Sequence, residues 1–94
     1  MWDLLGAASA SPFTAVLACE LSESGSVGAH HQQRDAEIVI GLSGCGEARV
    51  DGRVIPFGPG AVVHLPLGAR LELVNERDDA PLRYLIVKAT PVAT

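Results

Sequence analysis

Aromatic residues are scarce in this chain, with one Trp, one Tyr and two Phe among 94 residues. A pocket built from it has few rings for stacking a flat ligand, and Trp2, Phe13, Phe57 and Tyr84 read first as core or interface packing. Basic residues are few and dispersed: seven Lys and Arg stand singly between Arg34 and Lys88, and the formal net charge is −4. Without a basic stripe, nucleic acid and anionic membrane surfaces are disfavoured as partners. No apolar run approaches the roughly 20 residues of a membrane span. The N-terminal MWDLLGAASAS carries Asp3 and no positive region, so it does not read as a secretory signal, and a cytoplasmic location is expected. Only two cysteines occur, and in such a chain free thiols are expected. Cys19 lies in an apolar run as a small core residue, while Cys45 sits between two glycines in an exposed turn.

Sustained helical spacing is also missing, save for a possible first turn around Trp2–Leu5. Strand signals fill the chain instead. FTAVLACEL (Phe13–Leu21), EIVIGL (Glu37–Leu42), GAVVHL (Gly60–Leu65), RLELVN (Arg70–Asn75) and RYLIVKAT (Arg83–Thr90) are apolar or β-branched runs. Asp51-Gly52, flanked by Val50 and Val54, is a strong hairpin signal. Gly, Pro, Asp and Asn punctuate the runs at intervals of about eight to twelve residues, the rhythm of an all-β sandwich or barrel. The expected organisation is one domain over 1–94, with an N-terminal arm at 1–12, a barrel at 13–90 and a tail at 91–94.

Ile38-Val39-Ile40 and Leu85-Ile86-Val87 are apolar on both strand faces. So small a domain cannot easily cover both, so a homodimer that buries the outer face is expected. The alternative is that the N-terminal arm lies over these strands.

The polar stretch GSVGAHHQQRDAEIVIGLSG (Gly25–Gly44) admits two readings, a metal-ligand set or a solvated turn. In a strand His31 and Gln33 share one face, with His30 and Gln32 on the other. If Arg34-Asp35-Ala36 is a hairpin loop, Gln33 lies nearly opposite Glu37, and an imidazole, an amide oxygen and a carboxylate converge. Such donors suit Fe, Mn, Ni or Zn better than Cu(I).

Spacing adds a further signal. Gly25 is followed by five residues, His31, Gln32, Gln33, three residues, Glu37, six residues and Gly44. Gly60 is followed by five residues, Pro66-Leu67-Gly68, two residues, Leu71, three residues and Asn75. These two frames resemble the paired motifs of the cupin superfamily, G-(X)5-H-X-H-(X)3,4-E-(X)6-G and G-(X)5-P-X-G-(X)2-H-(X)3-N. Each lacks one histidine, replaced by Gln33 in the first and Leu71 in the second.

The resemblance implies an all-β, antiparallel jelly-roll β-barrel, often dimeric, that binds a small molecule. Members usually hold a divalent metal with three histidines and a glutamate. Carried over by position, the implied metal ligands are His31, Gln33 and Glu37, since some phosphomannose isomerases of this superfamily use a glutamine and Leu71 cannot ligate. Three ligands plus water can hold a catalytic metal. The superfamily includes dioxygenases, isomerases, decarboxylases and lyases. A metal-free reading also stands: desolvation in an apolar barrel would favour protonated Glu37, making it a candidate general acid or base. Leu71, Leu73, Val39 and Val62 are then candidate lining of an apolar pocket, or the chain is a dimeric structural partner without catalysis. His64, on the strand entering the second frame, is a further candidate ligand if its face looks inward.

Overall fold

The computed structural model describes residues 1–6, 12–31 and 35–91, with side chains for all of these except 26–31. Among the described residues nine strands follow in chain order: β1 (Trp2–Asp3), β2 (Phe13–Leu21), β3 (Ser26–His31), β4 (Ala36–Ser43), β5 (Gly46–Val50), β6 (Arg53–Phe57), β7 (Val62–Leu65), β8 (Arg70–Asn75) and β9 (Leu82–Ala89). They form two antiparallel sheets, one ordered β1-β2-β9-β4-β7 and the other β3-β8-β5-β6. This is a jelly-roll arrangement of two facing sheets, which hydrogen bonding does not close into a barrel. No described residue is helical, and Trp2–Asp3 extends the first sheet beside β2 where a helical turn was a possibility.

Alternation sets the core. On β4, Glu37, Val39 and Gly41 are buried while Ile38 and Ile40 are half-buried on the other face. On β8, Leu71, Leu73 and Asn75 point inward. Phe57, Leu65, Leu73, Leu82 and Val39 are the largest fully buried side chains, and they fill the space between the sheets. Asp51 and Gly52 both have positive φ, 50° and 83°, as a two-residue hairpin turn requires, and they join β5 to β6 as the sequence indicates.

One expectation is corrected. β3 and β4 do not form a hairpin: β3 pairs with β8 in one sheet, and β4 pairs with β7 and β9 in the other. β3 and β4 thus belong to different sheets, and Glu37 lies opposite Leu65 and Lys88, while Gln33 lies outside the described residues.

Asn75 fastens the end of the sandwich where β2 turns into β3. It is 2% exposed. Its two amide hydrogens are shared among the carbonyls of Leu21, Ser22 and Ala80 at 3.2, 3.1 and 2.9 Å. Its side-chain oxygen accepts from the Arg77 N–H at 3.0 Å, and its own N–H donates to the Gly25 carbonyl at 2.9 Å. One side chain therefore ties the β2–β3 turn to the β8–β9 loop. Asn75→Ala should cost about 3 kcal/mol, since buried carbonyls lose their donors. At about 4–8 °C per kcal/mol for a domain of this size, thermal unfolding followed by circular dichroism should show a loss of roughly 12–24 °C.

Candidate metal and ligand site

The inner face of the five-stranded sheet is built in rows. At the Asn75 end, Leu21 lies beside Leu82. Next come Cys19, Tyr84 and Gly41, then Leu17, Ile86, Val39 and Val63. The last row is Lys88, Glu37 and Leu65. Across the sandwich, Leu71 occupies the corresponding end of β8, with Val50 beside it. The candidate site is this far end.

Glu37 is 3% exposed, one of the two buried polar side chains among the described residues. Burying a carboxylate is costly unless its charge is met, and the neighbouring strand offers a cation. Lys88 stands directly opposite Glu37 and is half-buried. Directly opposed residues share a sheet face, so both face inward. Both charges reach the Cys19 thiol two rows away, whose ionisation is pushed up first by burial. Sequence reading missed Lys88, although Tyr84, Ile86 and Lys88 stand two apart on an apolar strand and that spacing marks one face.

Leu71 is 2% exposed and belongs to the hydrophobic core. The position of the fourth family ligand is thus filled by an alkyl side chain in contact with core neighbours. His64 faces outward: Val63 and Leu65 are buried and His64 is exposed, which removes it from the inner ligand set. Val62 shares that outer face at 62% exposure, so it does not line the interior, whereas Leu71, Leu73 and Val39 do. For the first frame, the backbone register places His30 opposite Leu71 and His31 opposite Arg70, with a shift in register between Val27 and His30. The side chain of His31 and all of Gln33 lie outside the described residues. Among the described residues no group of three His, Cys, Asp or Glu side chains is placed to hold a metal ion. Of the positions that the resemblance singles out, Glu37 is buried on the inner face and Leu71 is part of the hydrophobic core.

A pocket of about 450 Å³ opens at the same end of the other sheet, lined by Arg49, Asp51, Gly52, Arg70, Leu71 and Glu72. Arg49 is committed to Glu47 and Glu72 at 2.6 and 3.1 Å. Arg70 is exposed, and its backbone N–H donates to the Asp51 carboxylate at 2.8 Å.

Comparison with known proteins agrees with this geometry. The model of the cupin domain family matches residues 18–88, and the chain belongs to that family. A cupin 2 conserved barrel domain protein from Salinispora arenicola is 30% identical with a TM-score of 0.80, over 94% of this chain and 72% of that one. A sugar phosphate isomerase of the cupin superfamily from Silicibacter pomeroyi is 26% identical with a TM-score of 0.75, over 95% of this chain and 57% of that one. A predicted oxalate decarboxylase from Thermotoga maritima shares the fold at 24% identity and a TM-score of 0.78, over 85% of this chain and 69% of that one. No curated protein matches the sequence. Among the described residues no helix is long and apolar enough to cross a membrane.

Interior burial has a direct titration signature. An unburied phenol ionises near pH 10. Tyr84 is pushed up to about 12, first by burial and then by the adjacent Cys19 thiol. The unfolded chain gives up this proton first, so the phenol's contribution to stability is intact below pH 10 and is lost as pH rises towards 12. The phenolate absorbance of the single Tyr should show a native midpoint near 12, falling to about 10 in denaturant. Both cysteines are free, Cys19 buried and Cys45 exposed. A thiol reagent should label Cys45 in the native protein and Cys19 only after unfolding.

Proposed function

We propose that this cupin binds a small molecule at the Glu37 end of the sandwich, with a divalent-metal site reduced to His31, Gln33 and Glu37. The observation that carries this reading is the pair Glu37 and Leu71: a buried carboxylate at one family ligand position and a core alkyl group at another. A carboxylate, an imidazole and an amide oxygen are borderline-to-hard donors suited to Fe, Mn, Ni or Zn. A neutral amide is a weaker donor than an imidazole, and Leu71 supplies none, so affinity falls well below that of a full four-ligand set. When bound, such a metal supplies Lewis-acid polarisation of a ligand oxygen.

Around it this chain contributes Glu37 as the candidate general acid or base and Lys88 as its opposite charge. Leu71 is a dry wall on the inner face, and the pocket that Glu37 itself lines, with Phe13, Ala36, Ile38, His64, Val87 and Ala89, has a volume of about 230 Å³. The sugar phosphate isomerase among its structural relatives is named for a small polar substrate, which supports isomerase-type chemistry within a superfamily range that also includes lyases and oxygenases. The two unpaired thiols favour the reducing cytoplasm.

The second reading, a metal-free binding module or structural dimer without catalysis, is favoured by Leu71 alone. Titration of purified protein with Mn, Ni, Zn and Fe(II) separates the two. The metal-site reading requires binding that His31→Ala and Glu37→Gln both abolish, and that Gln33→His strengthens by about tenfold, the worth of about 1.4 kcal/mol from a better ligand. Absence of binding by the parent protein together with absence of any gain in Gln33→His and Gln33→His/Leu71→His establishes the metal-free reading.

A further inference from the structure

The pocket of about 450 Å³ on the four-stranded sheet takes no part in the site at Glu37. Its charged strand residues stand on the outer face. Arg49 lies directly opposite Glu72, Arg70 stands two residues earlier on β8, and their chain neighbours Ala48 and Leu71 are buried. Strand alternation therefore turns Arg49, Arg70 and Glu72 away from the core, whereas Glu37 belongs to the inner row of the other sheet.

The rim of the pocket is the tip of the β5–β6 hairpin. Asp51 grips the start of β8 through two bonds. Its N–H donates to the Arg70 carbonyl at 3.0 Å, and its Oδ1 accepts from the Arg70 N–H at 2.8 Å. Asp51 and Arg70 thus line the cavity from a fixed base, the geometry that a binding site needs from its supports.

Charge in the pocket is balanced in sum and unequal in place. Arg49 and Arg70 bring two positive charges, Asp51 and Glu72 two negative ones. The Arg49 guanidinium is met by Glu47 at 2.6 Å and Glu72 at 3.1 Å. Arg70 and Asp51 are both exposed, and among the described residues neither takes part in an ion pair, with each other or with a third group. One unmet cation and one unmet anion therefore face the same cavity. A simple anion would find Arg70 but also two carboxylates, on a chain of net charge −4. A simple cation would be repelled by Arg70.

We propose that this pocket binds a small zwitterion of the α-amino-acid type, with its carboxylate on the Arg70 guanidinium and its ammonium on the Asp51 carboxylate. The planar guanidinium fork matches a carboxylate with two parallel hydrogen bonds. Asp51 uses Oδ1 for the Arg70 N–H, which leaves Oδ2 to accept from an ammonium. The volume lies within the range of small-molecule sites, so the ligand's own side chain has room. Both contacts are solvated, so the dissociation constant is on the order of 1 mM.

The test is amide chemical-shift mapping by NMR on the full chain, titrated with L-alanine, propionate and ethylamine. L-alanine carries both charges, propionate only the carboxylate and ethylamine only the ammonium. L-alanine should shift the amides of Asp51, Gly52, Arg70 and Glu72 saturably and bind about tenfold tighter than either fragment. Arg70→Gln should weaken L-alanine about tenfold. Asp51→Asn keeps the oxygen that accepts the Arg70 N–H and tolerates the positive φ of 50°. It should weaken L-alanine by a similar factor and leave propionate no weaker. Both substitutions change exposed side chains, and the rest of the amide spectrum reports that the fold is kept. No L-alanine shift at these four amides, a fragment that binds as tightly as L-alanine, or L-alanine binding unchanged in Arg70→Gln or in Asp51→Asn overturns the proposal.

Discussion

The Asn75 amide decides which end of this small sandwich is shut. Two facing sheets of four and five strands have little area with which to hold themselves together, and their turns carry backbone carbonyls that must find donors when buried. Asn75 meets that need for Leu21, Ser22 and Ala80 at once, while its own oxygen orders the loop through Arg77. With the β2–β3 turn and the β8–β9 loop drawn together there, the space beside Leu21 and Leu82 is filled. From Leu82 to Lys88, β9 then runs about 20 Å to the opposite end, and there the inner rows finish in charge: Glu37 and Lys88. A polar site needs an end of the fold that the hydrogen-bonded turns do not seal, and the Asn75 knot assigns it.

The same contrast explains which features could be read from the sequence. The spacing of Gly25, Gly44, Gly60, Pro66, Gly68 and Asn75 reports turns and one buried clamp, and turn geometry is local. Gly44 shows how tightly: its φ is +95°, and a Cβ there would stand 2.6 Å from the Pro81 carbonyl oxygen. Several strands were equally legible, β2 and β8 to the residue, because apolar runs between breakers leave little choice of length. The faces were harder. A strand's two faces exchange with a single-residue slip, and neither a bulge nor a change of sheet is written in the apolar pattern. Val62 and His64 could have faced either way until Val63 and Leu65 were seen buried. In β3 the register shifts between Val27 and His30, which moves the pairing of both histidines by one. The hairpin expected between Gln33 and Glu37 failed for a related reason: a short polar link looks the same in sequence whether it turns within one sheet or crosses to the other.

The departures at Gln33 and Leu71 differ in physical weight. An amide oxygen in place of an imidazole changes the strength of one bond and leaves a polar group where the family has one. Leucine in place of a histidine changes the dielectric. Leu71 packs with the core cluster and faces a sandwich already lined by Leu73, Val39 and Leu65, so Glu37 sits closer to hydrocarbon than a four-ligand site would place it. In such surroundings the charge on Glu37 interacts more strongly with any cation that approaches, because little water screens it. Lys88 is the cation the chain keeps permanently opposite. It opposes a bound divalent metal by like-charge repulsion and favours a negatively charged ligand group, so the one residue that sequence reading overlooked weighs on the metal and on the ligand in opposite senses.

β4 joins this chemistry to the outer face. Glu37 and Val39 point into the sandwich while Ile38 and Ile40 point out, with adjacent residues only about 3.4 Å apart along the strand. A one-residue slip of β4 would exchange its faces, bringing Ile38 and Ile40 inward and carrying Glu37 out of its row opposite Lys88. With both faces apolar, it is the loss of that opposed pair more than the alkyl groups that resists the slip. The apolar outer side chains and the charged inner end are thus two consequences of one alternating segment, Glu37 to Ile40, and the pairing of that segment with β7 and β9 sets where the carboxylate stands.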